Sequence, residues 1–87
     1  MGRIRDLPGL GQKSEDMLAQ AGFYDVDEFL KTDPFIIYSR LKQSLPSVSL
    51  NFLYAIIGAQ EGIPWQTIAK ERKTEILMRL DDLGLAP

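Results

Sequence analysis

The stretch Ser49 to Gly62, SLNFLYAIIGAQEG, decides how the rest of the chain is read. From Phe52 to Ile57 every residue is apolar or aromatic, and no polar face interrupts the run. A helix that covers a protein surface alternates an apolar stripe with a polar one, whereas a helix apolar all round is buried all round. Ser49 stands where an N-cap belongs and Gly62 where a left-handed C-terminal residue belongs. The segment therefore predicts a central helix that other helices must surround. Gly58 lies inside it, where glycine costs about 1 kcal/mol relative to alanine. Its presence predicts a close approach of neighbouring chain at that point.

The segments on either side read as the surrounding helices. Gln12 to Ala21 carries Met17, Leu18 and Ala21 at helical spacing and ends at Gly22, a left-handed C-cap. Asp25 with Glu28 forms a capping box, with a hydrophobic staple from Tyr24 to Phe29, so a short helix runs to about Thr32. Asp33-Pro34 opens the third helix, with Asp as N-cap and Pro at the first helical position. Ile37, Tyr38, Leu41 and Leu45 share its inner stripe, and Pro46 stops it. Beyond Gly62, "PWQTIA" reads as a short turn with Trp65 largely buried against the end of the central helix. A last helix runs from about Lys70 to Leu83, with Ile76, Leu77, Leu80 and Leu83 on one side and a Glu75–Arg79 pair at i,i+4. Gly84 caps it. No run alternates as a half-buried strand does. The expected fold is all-α, a single compact domain over residues 1–87 with five main helices and a hairpin at its N-terminus.

Composition narrows the chemistry. The 87 residues contain no Cys and no His, which excludes disulfides, thiolate or imidazole metal sites, and nucleophile chemistry that relies on either. No cofactor, metal or enzymatic activity is expected. Ten basic and twelve acidic residues leave a formal charge of −2, unlike the basic balance of a strongly electrostatic nucleic-acid binder. The longest uncharged run, Gln43 to Gln60, is interrupted by Pro46 and polar residues and reads as buried helix rather than membrane span. A soluble, cytoplasmic protein is the expectation.

One motif carries a functional signal. In DLPGLGQKSEDMLAQAG, residues 6–22, Gly9-Leu10-Gly11 follows Pro8 and precedes a helix, and Ile4 lies three residues before Leu7. This is the core pattern of a helix-hairpin-helix. In that motif glycines at positive φ turn the chain so that backbone N–H groups at the start of the second helix hold a phosphate oxygen. Gly9, Gly11, Gln12 and Lys13 would form such a cradle, with Arg3 and Arg5 near enough to assist. Gly11 is expected in the left-handed region. The other reading is a plain helix–helix corner. Glu15 occupies a position that hairpins of this type usually give to a small residue. With Asp16 it puts two carboxylates in the first turn, which suits the helix dipole and repels phosphate. The remaining carboxylate groups, Asp25/Asp27/Glu28 and Asp81/Asp82, sit at helix ends and read as caps. Met78 falls off the apolar stripe of the last helix and marks a candidate partner surface.

Taken in order, "LPGLGQKSEDMLAQAGF", "VDEFL", "SLNFLYAIIGAQEGIPW" and a closing "KERKTEIL" resemble the C-terminal domain of the TfoX/Sxy competence regulators. The shared landmarks are Leu7, Gly11, Ser14, Leu18, Gly22, Tyr38, Leu41, Ser49, Asn51, Leu53, Tyr54, Gly58, Gly62 and Trp65, which span nearly the whole chain. The resemblance implies a small all-helical domain of helix-hairpin-helix type, without known enzymatic activity, in proteins that positively regulate genes for DNA uptake. Those regulators usually carry an N-terminal domain of comparable size ahead of this one. The expected role is regulatory and acts through a protein partner of the transcription machinery. The alternative is weak, sequence-independent contact with nucleic acid through residues 4–18.

Overall fold

Several helices begin or end where the sequence supplies the chemistry to do so. The computed structural model describes residues 2–86; Met1 and Pro87, the two ends of the expected domain, lie outside the described residues. A 3-10 turn, Ile4–Asp6, leads into α1 (Gln12–Gln20), α2 (Val26–Lys31), α3 (Pro34–Ser44), α4 (Leu50–Glu61), α5 (Trp65–Glu71) and α6 (Lys73–Asp82). Among the described residues there is no strand, and the fold is all-α. The Asp25 carboxylate accepts the Glu28 N–H at 3.4 Å and the Asp33 carboxylate accepts the Phe35 N–H at 2.8 Å. Gly22, at φ +93°, closes α1 in a Schellman arrangement. In it the Phe23 N–H donates to the Leu18 carbonyl at 2.9 Å and the Gly22 N–H to Ala19 at 3.0 Å. Leu18 and Phe23 are both buried, so the cap also fixes the entry of the next segment into the core.

Some local expectations fail, and for physical reasons. The staple does not form, because Tyr24 is 78% exposed and only Phe29 enters the core. The turn after Pro64 is a helix of seven residues, α5, whose Thr67 and Ile68 N–H groups donate to the Pro64 carbonyl at 3.0 and 3.3 Å and whose Ile68 is buried. Among the described residues this adds a short sixth α-helix to the five main ones, between the central and last of them. The last helix begins at Lys73, since Arg72 leaves helical geometry at φ −122° and ψ 10°. Neither glycine nor proline marks that corner. The Arg72 guanidinium is held there by Glu61 at 2.7 Å and Glu75 at 3.8 Å.

Helix α4 is the axis of the molecule. Leu53 to Ala59 are buried without a break, against α3 on one side and α5 on the other. The Gly58 site explains itself: a Cβ there would run into the Ile63 carbonyl oxygen and lie 3.3 Å from the Trp65 backbone nitrogen. Gly62, at φ +72°, turns the chain back so that Ile63 N–H reaches the Gly58 carbonyl at 2.9 Å. Gln60, next to that turn, donates to the Phe29 and Thr32 carbonyls at 2.9 and 2.8 Å. It thereby satisfies acceptors that the end of α2 leaves open. Arg79 ties α6 to the cap of α3 through Asp33 at 3.4 Å and lies 5.0 Å over the Phe35 ring. The Glu75–Arg79 pair is not made; each side chain has a tertiary partner or an i,i+3 partner instead.

Candidate contact surfaces around the N-terminal hairpin

The hairpin residues come together, but with a different division of labour from the expected one. Gly9 is the left-handed residue, at φ +78°. Gly11 is extended, at φ −137° and ψ −166°, and serves as the N-cap of α1 with no side chain to offer. The expectation for Gly11 is therefore corrected: any residue adopts that backbone. Leu10, between them, is buried and pins the turn to the core. Gln12 and Lys13 open α1 and are exposed. The first N–H of that helix with a helical acceptor belongs to Glu15, which donates to Gly11 at 2.9 Å, so the donors of the preceding turn face outward.

Arg3 and Arg5 are both paired with Glu15. Its Oε1 accepts from Arg3 Nη2 at 2.9 Å and from Arg5 Nη2 and Nε at 2.8 and 3.0 Å. Its Oε2 accepts the Arg5 backbone N–H at 3.2 Å. The hydrogen bonds from the Arg5 side chain, then its backbone N–H and the two positive charges, lower the Glu15 carboxyl from its ordinary 4.5 to about 2. The same hydrogen bond raises the Arg5 guanidinium. Sequence order shows Glu15 as a carboxylate in a first turn. It does not show that the 3-10 turn delivers two guanidinium groups to it.

Besides a hollow of about 260 Å³ that includes Arg3, Glu15, Asp16 and Tyr24, three shallow surfaces mark the molecule. A notch of about 390 Å³ lies between the hairpin and the α4–α5 corner, lined by Pro8, Gly9, Ala55, Gly62, Pro64, Trp65 and Gln66. Trp65 forms part of its wall and is half-buried, not sealed in the core as the sequence suggests. A groove of about 510 Å³ runs between α1 and the segment before α4, over Met17, Leu45, Val48 and Phe52, with Lys13, Ser14, Ser47 and Ser49 along it. Linear order gives no sign of this groove, since its walls come from residues 13–17 and 45–52. The third, about 330 Å³, joins the start of α3 to the end of α6 and includes Ile36 and Leu83, which are 49% and 48% exposed. Met78 is 65% exposed, as its position suggests, but lies roughly opposite the buried Ile76–Leu80 stripe and lines none of the three. Tyr54 is buried on α4 with no hydrogen-bond partner for its hydroxyl, and burial raises its pKa.

Comparison with known proteins places this geometry in a family. The model of the TfoX C-terminal domain matches residues 1–80. The chain belongs to the TfoX C-terminal domain family. A relative from Aliivibrio fischeri, DNA transformation protein TfoX1, is 28% identical over 79 residues, covering 90% of this chain and 38% of that protein. The chain thus spans well under half the length of that TfoX protein. The fold recurs in the crystal structure of an uncharacterized Listeria monocytogenes protein, with a TM-score of 0.81, 25% identity and 99% of both chains covered. The matched residues take in the N-terminal turn, helices α1 to α5 and most of α6. Among the described residues no helix is long and apolar enough to cross a membrane.

Proposed function

We propose that this TfoX-type domain is a non-catalytic contact module in the positive control of DNA-uptake genes, working in the cytoplasm by binding a protein of the transcription machinery. One observation carries the reading. The two arginines nearest the hairpin pair with Glu15, so that Lys13 is left as the cationic side chain beside the exposed amides of α1. One lysine and a few amides neutralise one or two phosphates at most. Affinity for nucleic acid then falls with salt at only about 0.9 log units per log unit for each, from a non-specific dissociation constant of roughly 10⁻⁴ to 10⁻⁶ M. Exposed apolar side chains such as Ile36, Leu83 and Met78 suit a protein partner better.

The nucleic-acid reading has its own support in Gly9, whose positive φ gives the hairpin its tight turn ahead of free helix amides. The two readings separate in one pair of measurements. Cross-linked co-purification from native cells, with and without nuclease, is expected to recover the same transcription proteins in both arms. Fluorescence anisotropy with a short duplex is expected to show weak binding that Lys13→Glu removes. Sub-micromolar duplex binding that persists at moderate salt, together with nuclease-sensitive recovery, overturns the protein-contact reading.

A further inference from the structure

The groove between α1 and the start of α4 differs from the rest of the surface in charge. Although the chain carries a net −2, no carboxylate lines this groove. Its one ionised side chain is Lys13, which has no ion-pair partner among the described residues. Two helices, α1 and α4, begin at its edge and present their positive ends there. Helix α4 has no acidic residue in its first turn, and the Ser49 side chain makes no capping bond. The floor is apolar and half-covered: Met17, Leu45 and Phe52 pack against the core from the surface, over buried Val48. The Glu15 carboxylate in the first turn of α1 is already offset by Arg3 and Arg5. Apolar floor, hydroxyl-lined edge, Lys13 and a start of α4 free of carboxylates describe one kind of occupant.

We infer that this groove docks an acidic amphipathic helix of a protein partner. This deepens the protein-contact reading and rests on it. The partner's apolar side chains at i, i+3 and i+4 would lie on Met17, Val48 and Phe52, as amphipathic helices lie in apolar grooves elsewhere. Its carboxylates would face Lys13 and the two helix starts, and complementary potential of this kind selects partners and orients them. The acidic remainder of the surface would turn the same segment away.

The test uses the ¹⁵N-labelled 87-residue protein and two synthetic helical peptides of about sixteen residues. One carries leucines on one face and glutamates on the other; the second replaces every glutamate with lysine. The acidic peptide is expected to shift the amides of Lys13, Ser14, Met17, Val48, Ser49 and Phe52, and the basic one to leave them in place. Lys13→Glu is expected to weaken the acidic peptide about tenfold. Ser49→Asp is expected to do the same while the protein melts no lower, because aspartate caps a helix at least as well as serine. No shifts at millimolar peptide, or binding indifferent to both substitutions, overturns the proposal. Shifts centred on Ile36, Arg79 and Leu83 also overturn it, yet leave protein contact standing on another face. Shifts of the groove amides by a DNA duplex alone, with both peptides silent, remove the site and the protein-contact reading together.

Discussion

Gly9 and Gly11 stand two residues apart and meet different demands. Gly9 is at φ +78°, where a side chain crowds its own backbone at a cost of about 1–2 kcal/mol, although open space surrounds the position. Gly11 is extended, with open space around it, and occupies an N-cap that lacks a side-chain acceptor. Gly9→Val is therefore expected to lower the unfolding free energy by about 1–2 kcal/mol. Gly11→Ser is expected to raise it by a few tenths, because its hydroxyl can accept an N–H of the first turn. Urea denaturation of the two variants checks both signs. Equal destabilisation by both would mean that the turn is shared between the glycines. That a tight turn stands here was legible in Pro-Gly-Leu-Gly; which glycine turns was not. Either glycine satisfies the pattern, and the choice follows from where buried Leu10 must point.

At the scale of elements, α4 was readable because its composition has only one physical meaning. Six consecutive apolar residues in a helix too short to cross a membrane must be surrounded, and Leu53 to Ala59 are. The boundaries of α2 and α3 were readable because Asp25, Asp33 and Pro34 each act within a few residues of themselves. Helix α5 and the corner at Arg72 were not, since both depend on partners far along the chain: the core for Ile68, and Glu61 for Arg72. Gly58 belongs to both classes. Its position in a buried helix predicted a close approach, and the approaching atoms are backbone atoms of Ile63 and Trp65. Alanine would gain about 1 kcal/mol of helix propensity at this position. It would also force apart backbone that has no rotamer with which to yield. Gly58→Ala is thus expected to destabilise by about 1–3 kcal/mol net, the usual cost of overpacking. A shift of the denaturation midpoint upward would show that the α4–α5 corner relaxes instead.

For the whole molecule, the absence of His and Cys leaves no side chain whose ordinary pKa lies between about 5 and 8. Stability should then be nearly flat with pH around neutrality and depend on the acid range. Glu15 governs part of that range, because it joins the 3-10 turn and the hairpin to α1 through both Arg3 and Arg5. Its carboxyl is lowered in the fold from 4.5 to about 2, chiefly by the Arg5 hydrogen bonds. A folded-state pKa below the unfolded one means that the unfolded chain binds the proton more readily. The contribution is therefore complete above about pH 4.5 and is lost as pH falls towards 2. The arginines were legible as charges in the sequence and were assigned to phosphate. Their partner was not legible, because Arg3 and Glu15 are twelve residues apart and meet only once the hairpin has closed. Glu15→Gln keeps the shape and removes the charge. It is expected to lower the melting temperature at pH 7, with the gap from the unsubstituted protein narrowing below about pH 4.5 and nearly closed at pH 2. Circular-dichroism melts of both proteins at half-unit pH steps measure this directly, and parallel curves across the acid range would show that the pair contributes nothing to the fold. The same variant frees both arginines. If duplex DNA then binds more tightly than to the unsubstituted protein, Glu15 is the residue that withholds them from phosphate, and the weakness of the hairpin as a nucleic-acid site has its cause in a single carboxylate.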